Sequence, residues 1–388
     1  MSDTYTIERA NKSEYTQLMD LLDTAFCFEK DEDKFLTLLP KLYKEEYKPW
    51  ENNIVVRTDE GLKAATGLYY STLNVLDEKL LVGGIGNVAV HPDSRGKGYM
   101  KDVMRECIAD MKKRGADFSY LGGHRQRYQY FSYEYGGLIY IFHIAESNIR
   151  HVLGQNAKSR FTARELTAED SEILNEIDLI HRKQPQYCER DKEAYFDILR
   201  SWRRIPFAVF EGDEFKGYFI VSRDYGSVGE FDSKAPEDLT DVLLCAFEHK
   251  KERRHLYVDV PPYRKDLLNL MHKISGGFDI CHSCMYTIFN YKKVLRAYLK
   301  LKNSLQPLAE GKAVVLIHGE AGDERLKLEI NNGEVTVSET DEKEDIELSH
   351  LDALSVFTGL YSDRRAELPP AVASWFPLPL FIHGADNV

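Results

Sequence analysis

The stretch from Ile85 to Met111 decides the fold, and it reads IGNVAVHPDSRGKGYMKDVMRECIADM. Its apolar beginning, Ile85 to Val90, predicts a β-strand that stops before Pro92, because proline cannot donate a hydrogen bond to a strand ladder. Its end predicts a helix with one apolar face, formed by Met100, Val103, Met104, Cys107, Ile108 and Met111. The stretch is therefore a strand, a glycine-containing loop and a helix.

The loop, Arg95-Gly96-Lys97-Gly98, has the features of an anion site. A helix N-terminus presents unpaired N–H groups and a partial positive charge, and glycines before it let the backbone approach an anion closely. Arg95 and Lys97 add formal charge, so the loop predicts a pyrophosphate cradle. The Walker A and G-x-G-x-x-G spacings are absent, which excludes those two nucleotide motifs. The alternative is a loop whose glycines serve only the turn.

Positions Arg95 to Met100 resemble the acetyl-CoA motif of the GNAT N-acetyltransferase superfamily, Arg/Gln-x-x-Gly-x-Gly/Ala. Met100 departs from that motif, and a bulky residue there is typical of the Eis-like (enhanced intracellular survival) branch. The resemblance implies acetyl-CoA as cosubstrate and no metal. It also implies that the cosubstrate is bound by Val88, Ala89, Val90, Arg95, Gly96, Lys97, Gly98, Tyr99 and Met100.

Length and composition indicate a globular protein of two or three domains, with 388 residues of which 43% are hydrophobic. No stretch approaches the roughly 20 apolar residues of a membrane span, and the N-terminus lacks a signal-peptide core. We therefore expect a cytoplasmic protein without a membrane partner, which the six scattered cysteines fit. The net charge of −12 argues against a nucleic-acid partner and favours a cationic substrate.

The order of elements before and after the loop also resembles the GNAT fold. We predict a strand over residues 4–8, a helix capped by Ser13, a hairpin of strands 54–57 and 62–73, and a strand over 118–121. This resemblance covers about residues 1–150, so we expect a catalytic domain over residues 1–158.

A tyrosine-rich segment, Tyr128 to Tyr133, follows this domain's last predicted strand. It resembles the Tyr-x-x-Phe-x-Tyr segment of Eis-like enzymes, which implies that Tyr128 is the general acid that protonates the leaving CoA thiolate. The alternative is that these aromatic rings only pack beneath the sheet, which we favour for Phe131. His124 is a second candidate base, although a lone histidine beside glycines is more often structural.

Residues 159–290 repeat the pattern, with a strand from Phe161, a helix from Ala168 and a hairpin over 206–222. Where the first copy has its glycine loop, this one has Ser233 to Leu239, without glycine and with Glu237 and Asp238. We expect those carboxylates to repel a pyrophosphate, which makes this a degenerate GNAT-like domain. The alternative is an unrelated α/β domain.

Cys281 and Cys284 have the spacing of one pair of zinc ligands. Zinc sites usually have two such pairs, and this pair lies in a predicted strand over 278–289, where residues three apart point to opposite faces. We therefore expect no metal.

Residues 291–388 form a third domain of mixed helix and strand, with an Asn332-Gly333 turn, an acidic loop over 339–347 and an apolar tail over 375–382 that must be buried. In Eis-like proteins the third domain resembles the sterol carrier protein fold. The predicted fold class is thus α/β (α+β), with two tandem GNAT-like domains followed by a sterol-carrier-protein-like α+β domain.

No side-chain base presents itself between residues 85 and 135, where most of the acidic residues lie on or beside the predicted helix. The resemblance to Eis-like enzymes implies that the base is the C-terminal carboxylate, on Val388. It also implies transfer of acetyl to a primary amine of an aminoglycoside-like, polyamine-like or lysine-like acceptor, by a homo-oligomer that is hexameric in relatives. The alternative function is a non-catalytic CoA-sensing or lipid-binding protein.

Overall fold

A computed structural model of the protein describes residues 4–27, 30–250 and 254–388. By contact, the chain divides into two units. Unit 1 contains residues 1–136, 284–378 and 388, and unit 2 contains residues 137–283 and 379–387. Residues 1–3, which belong to the segment where no signal peptide was expected, lie outside the described residues.

The described strands, in chain order, are β1 Thr6–Arg9, β2 Asn53–Thr58, β3 Gly61–Val75, β4 Glu78–Val90, β5 Phe118–Leu121, β6 Glu134–Gly136, β7 Ile139–Ala145, β8 Thr162–Glu165, β9 Gln186–Cys188, β10 Arg204–Glu211, β11 Glu214–Ser222, β12 Ser227–Ser233, β13 His255–Val260, β14 Gly277–Cys281, β15 Cys284–Ile288, β16 Gly311–Gly319, β17 Gly322–Asn331, β18 Glu334–Glu339 and β19 Ile346–Ser349.

The described α-helices are α1 Tyr15–Ala25, α2 Phe35–Leu38, α3 Pro40–Tyr43, α4 Tyr99–Arg114, α5 Arg125–Tyr128, α6 Glu146–Leu153, α7 Ser171–His181, α8 Tyr195–Arg200, α9 Leu239–Glu248, α10 Lys265–Ile274, α11 Tyr291–Leu305, α12 His350–Thr358 and α13 Pro370–Ala373. None of the helices in the described ranges is long and apolar enough to cross a membrane.

The main sheet of unit 1 has the strand order β1-β2-β3-β4-β5-β15-β6. Strands β4 and β5 are parallel, and α4 connects them. The predicted apolar face of α4 is confirmed: Val103, Met104, Cys107 and Met111 are buried against one side of the sheet. Helix α1 packs on the other side, so the sheet is covered on both faces.

The cap predicted at Ser13 is wrong. A 3-10 turn, Lys12–Glu14, precedes α1, and its cap is Asn11, whose side chain accepts from the N–H of Ser13 at 3.1 Å. The Glu14 carboxylate accepts from the N–H of Asn11 at 2.9 Å, which completes a capping box two residues earlier than expected.

Unit 2 repeats the arrangement of unit 1, with the strand order β14-β7-β13-β12-β11-β10-β8 and one parallel pair, β12 and β13, connected by α9. This confirms the predicted second GNAT-like sheet. Strand β7 lies in the sheet of unit 2, and strand β15 lies in the sheet of unit 1. The predicted single strand over 278–289 is accordingly two strands, β14 and β15.

One of the two carboxylates predicted to repel a pyrophosphate in unit 2 has a cationic partner. Pro236–Asp238 is a 3-10 turn, and Asp238 is buried with an oxygen 3.5 Å from the guanidinium of Arg160. Arg160 is shared with Asp241 at 2.8 Å, so it offsets only part of the charge of Asp238, which the predicted repulsion did not take into account.

The last sheet, in unit 1, has the order β18-β17-β16-β19, and α11 packs on it. The predicted turn at Asn332-Gly333 is confirmed by positive φ angles of 51° and 75°. The apolar tail is buried as predicted, with Trp375 and Leu378 fully covered in unit 1. The sterol-carrier-protein-like fold of this region stays a prediction.

Candidate active site

A β-bulge interrupts strand β4 at its carboxyl end. Ala89 pairs with Ala65 and Gly86 pairs with Gly67, so Asn87 and Val88 together oppose one residue of β3. The parallel ladder from β5 ends at Ile85, opposite Leu121. Beyond that point β4 runs on through Val90 without β5 beside it, which opens the sheet along the segment predicted to bind acetyl-CoA.

Asn87 fixes the bulge from within the core. Its φ of 39° lies in the left-handed region that asparagine tolerates. Its Oδ1 accepts from the Tyr43 hydroxyl at 2.7 Å, and its Nδ2 donates to Oδ1 of Asn53 at 2.8 Å. Opposite it, a Cβ on Gly67 would lie 2.2 Å from Asn87 Oδ1, so only glycine fits there. The bulge is thus held by side-chain contacts that the sequence pattern did not reveal.

We expect Asn87→Val to destabilise the protein by about 3 kcal/mol or more, because it strains the backbone and leaves two buried polar partners unpaired. Asn87→Gly loses the same hydrogen bonds but relieves the strain, so we expect it to be the more stable of the two variants. Denaturant unfolding checks this order. Equal free energies of unfolding for the two variants would show that the left-handed backbone at Asn87 does not strain a valine there.

A cavity of about 690 Å³ opens at the carboxyl end of β4. It is lined by the end of α1, the end of β4, the glycine loop, the first turn of α4 and one residue after β5: Ala25, Phe26, Val88, Ala89, Val90, Ser94, Arg95, Gly96, Gly98, Tyr99, Met100, Lys101 and Arg127. Eight of the nine predicted cofactor residues are in this set; Lys97 is exposed and is not among them. The cavity lies entirely within unit 1.

The glycine loop has the backbone that an anion cradle requires. Gly96 and Gly98 have φ angles of 84° and 90°, and Gly98 is the N-cap of α4. The first-turn N–H groups of α4 therefore point to the same place as the cationic side chains of Arg95, Lys101 and Arg127. These features fit the pyrophosphate of CoA. Arg95 also donates a hydrogen bond to the carbonyl of Ala25 at 3.3 Å, which ties the glycine loop to the end of α1.

Tyr128 ends the short helix α5, directly after β5, and its side chain is 7% exposed. Burial raises the pKa of its phenol, and the guanidinium of Arg127 opposes that effect, so the hydroxyl carries its proton at neutral pH. A Cβ on Gly123 would lie 2.9 Å from the Tyr128 ring, so this glycine makes room for it. Phe131 is buried in the core, as expected.

Val388 lies over the central strand of unit 1. A Cβ on Gly86 would be 3.1 Å from the terminal carbonyl carbon of Val388, and one on Gly84 would be 2.7 Å from its side chain. A Cβ on Gly84 would also lie 2.8 Å from the Tyr120 hydroxyl. The absence of side chains at these two glycines thus creates the space that the terminal residue occupies, two residues before Val88.

Two of the acidic side chains between residues 85 and 135 are held in ion pairs. Asp110 accepts from Arg9 at 2.7 Å, and Asp117 accepts from Lys293 at 2.7 Å. Neither these nor the other predicted acidic residues of this segment line the cavity within the described ranges: Asp93, Asp102, Glu106 and Glu134. His124 has an exposed side chain just before α5.

Sequence reasoning missed several residues of the site. Arg127 and Lys101 line the cavity. A single cationic residue on a helix or short loop belongs to no recognisable sequence motif, so neither could be identified from the sequence. Phe26 and Ala25 contribute from the end of α1, about 60 residues earlier in the chain than β4. Tyr120 could have been singled out only as an inward-facing position of β5. No group of three or more His, Cys, Asp or Glu side chains in the described ranges is arranged to hold a metal ion.

Comparison with known proteins agrees with this geometry. Residues 6–136 match the family model of the acetyltransferase (GNAT) domain. No curated protein sequence gives a significant match. Solved structures match at low identity, and they show the fold.

A GCN5-related N-acetyltransferase from Anabaena variabilis has 16% identity and a TM-score of 0.67, with 99% of each chain covered. A probable N-acyltransferase from Enterococcus faecalis has 18% identity and a TM-score of 0.65, covering 91% of this chain and 90% of that chain. Eis1 from Mycobacterium abscessus has 13% identity and a TM-score of 0.63, covering 99% of this chain and 100% of that chain. Residues 6–136 are therefore a GNAT acetyltransferase domain, and the protein is an acyltransferase whose cosubstrate is acetyl-CoA.

Proposed function

We propose that this acyltransferase acetylates a primary amine of a cationic small molecule, aminoglycoside-like or polyamine-like, or a lysine-like acceptor, as an Eis-like enzyme. The observation that carries the proposal is the terminal residue Val388 lying against Gly84 and Gly86 of β4. The Tyr-x-x-Phe-x-Tyr segment and a fold shared with Eis1 over nearly the whole chain support it. The net charge of −12 attracts a cationic acceptor over long range.

The chain's residues would hold acetyl-CoA, which supplies an activated acetyl group, along the open edge of β4. The glycine loop and Arg95 bind its pyrophosphate, and the backbone of Val88 to Val90 orients the remainder by strand-like hydrogen bonds. The bulge at Asn87 turns a backbone N–H of β4 out of the ladder, where it can polarise the thioester carbonyl.

In the proposal, Val388 provides the base. Its carboxylate accepts the proton that the attacking amine loses, directly or through water. This role needs no side chain, which agrees with the ion pairs that occupy Asp110 and Asp117. His124 is the remaining alternative, and its exposed side chain makes it the weaker candidate.

Tyr128 provides the acid in the same proposal. A phenol that burial keeps protonated can donate its proton to the leaving thiolate. The proton that the Val388 carboxylate takes from the amine then returns to the phenolate through solvent before the next turnover. The short helix α5 holds Tyr128 through Arg125, whose guanidinium donates to Glu134 at 2.6 Å. An ion pair between its own helix and strand β6 thus anchors the segment that carries the acid.

Replacing Tyr128 by phenylalanine should lower kcat on the order of 10²-fold, with KM for acetyl-CoA little changed, because only the donor is removed. Tyr133→Phe is the matched control, since the Tyr133 hydroxyl is buried 2.7 Å from Ser119 Oγ in the same segment. It should reduce stability by about 1 kcal/mol and leave kcat nearly intact. A Tyr128→Phe variant with full kcat would show that this ring only packs.

The acceptor class is tested by comparing kcat/KM for spermidine, an aminoglycoside, a lysine-containing peptide and a neutral amine. We expect the polycationic amines to be preferred, and raising the salt concentration to reduce that preference. A preference for the neutral amine would contradict the proposed acceptor class while leaving acetyl transfer itself intact. The hexamer and the domain limits at 158 and 290 stay predictions.

A further inference from the structure

We propose that unit 2 carries a binding site of its own, for a small organic anion with a phosphate or carboxylate group. The site is a cavity of about 490 Å³, a size typical of small-molecule sites. Its lining comes from four segments of the unit: Ile180, Lys183, Gln184, Pro185, Asp232, Ser233, Lys234, Pro236, Leu239, Tyr263, Arg264, Lys265 and Asp266.

The cavity lies at the same place in the fold as the acetyl-CoA cavity of unit 1. In unit 1 the lining comes from the end of α1, the end of β4, the start of α4 and a residue after β5. In unit 2 it comes from the end of α7, the end of β12, the start of α9 and residues after β13. Open α/β sheets bind ligands outside the carboxyl ends of their strands. The cavity of unit 2 therefore lies where such a sheet would bind a ligand.

Charge indicates an anion as the occupant. Four cationic side chains and two carboxylates line the cavity, an excess of two positive charges in a chain whose net charge is −12. Both carboxylates are engaged by one guanidinium, because Arg264 donates to Asp232 at 3.0 Å and to Asp266 at 2.7 Å. The exposed side chains of Lys183 and Lys265 lie at the rim beside this ion-paired group, and with Lys234 they give the cavity its excess of positive charge.

Lys234 adds a third cation at the rim. It forms an ion pair with Glu176 at 2.7 Å in which both side chains are more than 40% exposed. An exposed pair of this kind holds its members weakly, so an entering anion can compete for the lysine.

The loop chemistry argues against a second CoA. Gly96 and Gly98 have positive φ in unit 1, whereas no residue from Asp232 to Leu239, all of them described, has a positive φ. Pro236 opens the 3-10 turn there and has no N–H to donate. Recognition would come from side-chain cations, which suits a single phosphate or carboxylate group rather than a pyrophosphate cradled by backbone.

The floor of the cavity is preformed. The Tyr263 hydroxyl lies 3.0 Å from His383 Nε2, and Gln184 lies 3.3 Å from the same nitrogen, all three residues being buried within unit 2. Ile180 and Leu239 add buried apolar surface beside these polar groups. A fixed floor lowers the ordering cost of binding, and its apolar part fits an organic body behind the anionic group.

Calorimetric titration of the full chain tests this site, with the unit 1 cavity blocked by saturating CoA. The probes are phenyl phosphate, benzoate and, as the uncharged control, benzyl alcohol. We expect one anion to bind and the alcohol not to bind, and the tighter anion identifies the group recognised. In Lys183→Glu/Lys265→Glu we expect its Kd to rise about 100-fold, since two charge-assisted contacts are lost.

The matched control is Lys192→Glu/Lys273→Glu, which makes the same change of charge at two exposed lysines of unit 2 outside the cavity. It should leave the anion's Kd within about twofold of the wild type. CoA affinity, a property of unit 1, should be unchanged in both variants. Circular-dichroism spectra that match the wild type show that unit 2 is folded in both. Absence of anion binding in the wild type, or an equal loss in both variants, would overturn the proposal.

Discussion

Gly98→Glu is expected to abolish acetyl-CoA binding. Gly98 is the N-cap of α4 and lines the cavity, with a φ of 90°. A Cβ there would meet nothing within 4 Å, so a glutamate side chain has room to enter the cavity, where it puts a negative charge beside the pyrophosphate position. Calorimetry with acetyl-CoA measures the loss.

Gly115→Glu is the control for backbone strain. Gly115 caps the other end of α4 with a φ of 70°, and a Cβ there also meets nothing within 4 Å. The two variants therefore carry the same left-handed glutamate on the same helix, and only one is at the cavity. We expect Gly115→Glu to retain acetyl-CoA affinity. If folded Gly98→Glu binds acetyl-CoA as tightly as the control, the cavity is not the cosubstrate site.

Arg95→Ala provides the graded comparison at the same site. It removes one cation from the cavity and leaves the backbone cradle in place, so we expect acetyl-CoA binding to weaken by about 1 to 3 kcal/mol. The difference between this partial loss and the complete loss in Gly98→Glu separates the side-chain contribution from that of the helix N-terminus.

Extending the chain by two residues beyond Val388 is expected to lower kcat on the order of 10²-fold, because the carboxylate moves away from β4 while every side chain stays in place. An extension is preferable to deleting the last three residues. The Asp386 side chain is buried in unit 2 with the Arg190 guanidinium at 2.7 Å, and its removal would take away one of the two carboxylate partners of that buried cation, the other being Glu230. Steady-state kinetics with acetyl-CoA and spermidine measures the effect.

Val388→Ala is the matched control for the extension. It keeps the terminal carboxylate and removes only the methyl groups that lie near Gly84. We expect kcat within a few-fold of the wild type and unchanged acetyl-CoA affinity for both variants. An extended chain that turns over at the wild-type rate would place the base elsewhere, and His124→Gln would then be the next variant to measure.

Features encoded over a few neighbouring residues were predictable from the sequence. The α4 face, the glycine loop and the Asn332-Gly333 turn each follow from side-chain spacing or from φ preferences that one or two residues set. The cap predicted for α1 was two residues off, since Asn11 and Ser13 are both good capping residues and the choice depends on Glu14 reaching back to Asn11.

Features that depend on pairing between distant segments were not predictable. Strand β7 follows β6 after only two residues yet lies in the sheet of unit 2, and an apolar strand pattern does not specify its partner. For the same reason, the charge of Asp238 was misjudged from the sequence, and Asp232 was not considered. Each is paired with an arginine far away in sequence, Arg160 or Arg264. The bulge at Asn87 likewise depends on Tyr43 and Asn53.

Amine-dependent release of CoA thiol is the most direct test of the central claim. The purified full-length protein is given acetyl-CoA with and without spermidine, and free thiol and acetylated amine are measured together. The account predicts that thiol release requires the amine and that one acetylated amine forms for each thiol released. Tight binding of acetyl-CoA with the same slow thiol release whether or not an amine is present would contradict it, and would favour a CoA-sensing protein instead.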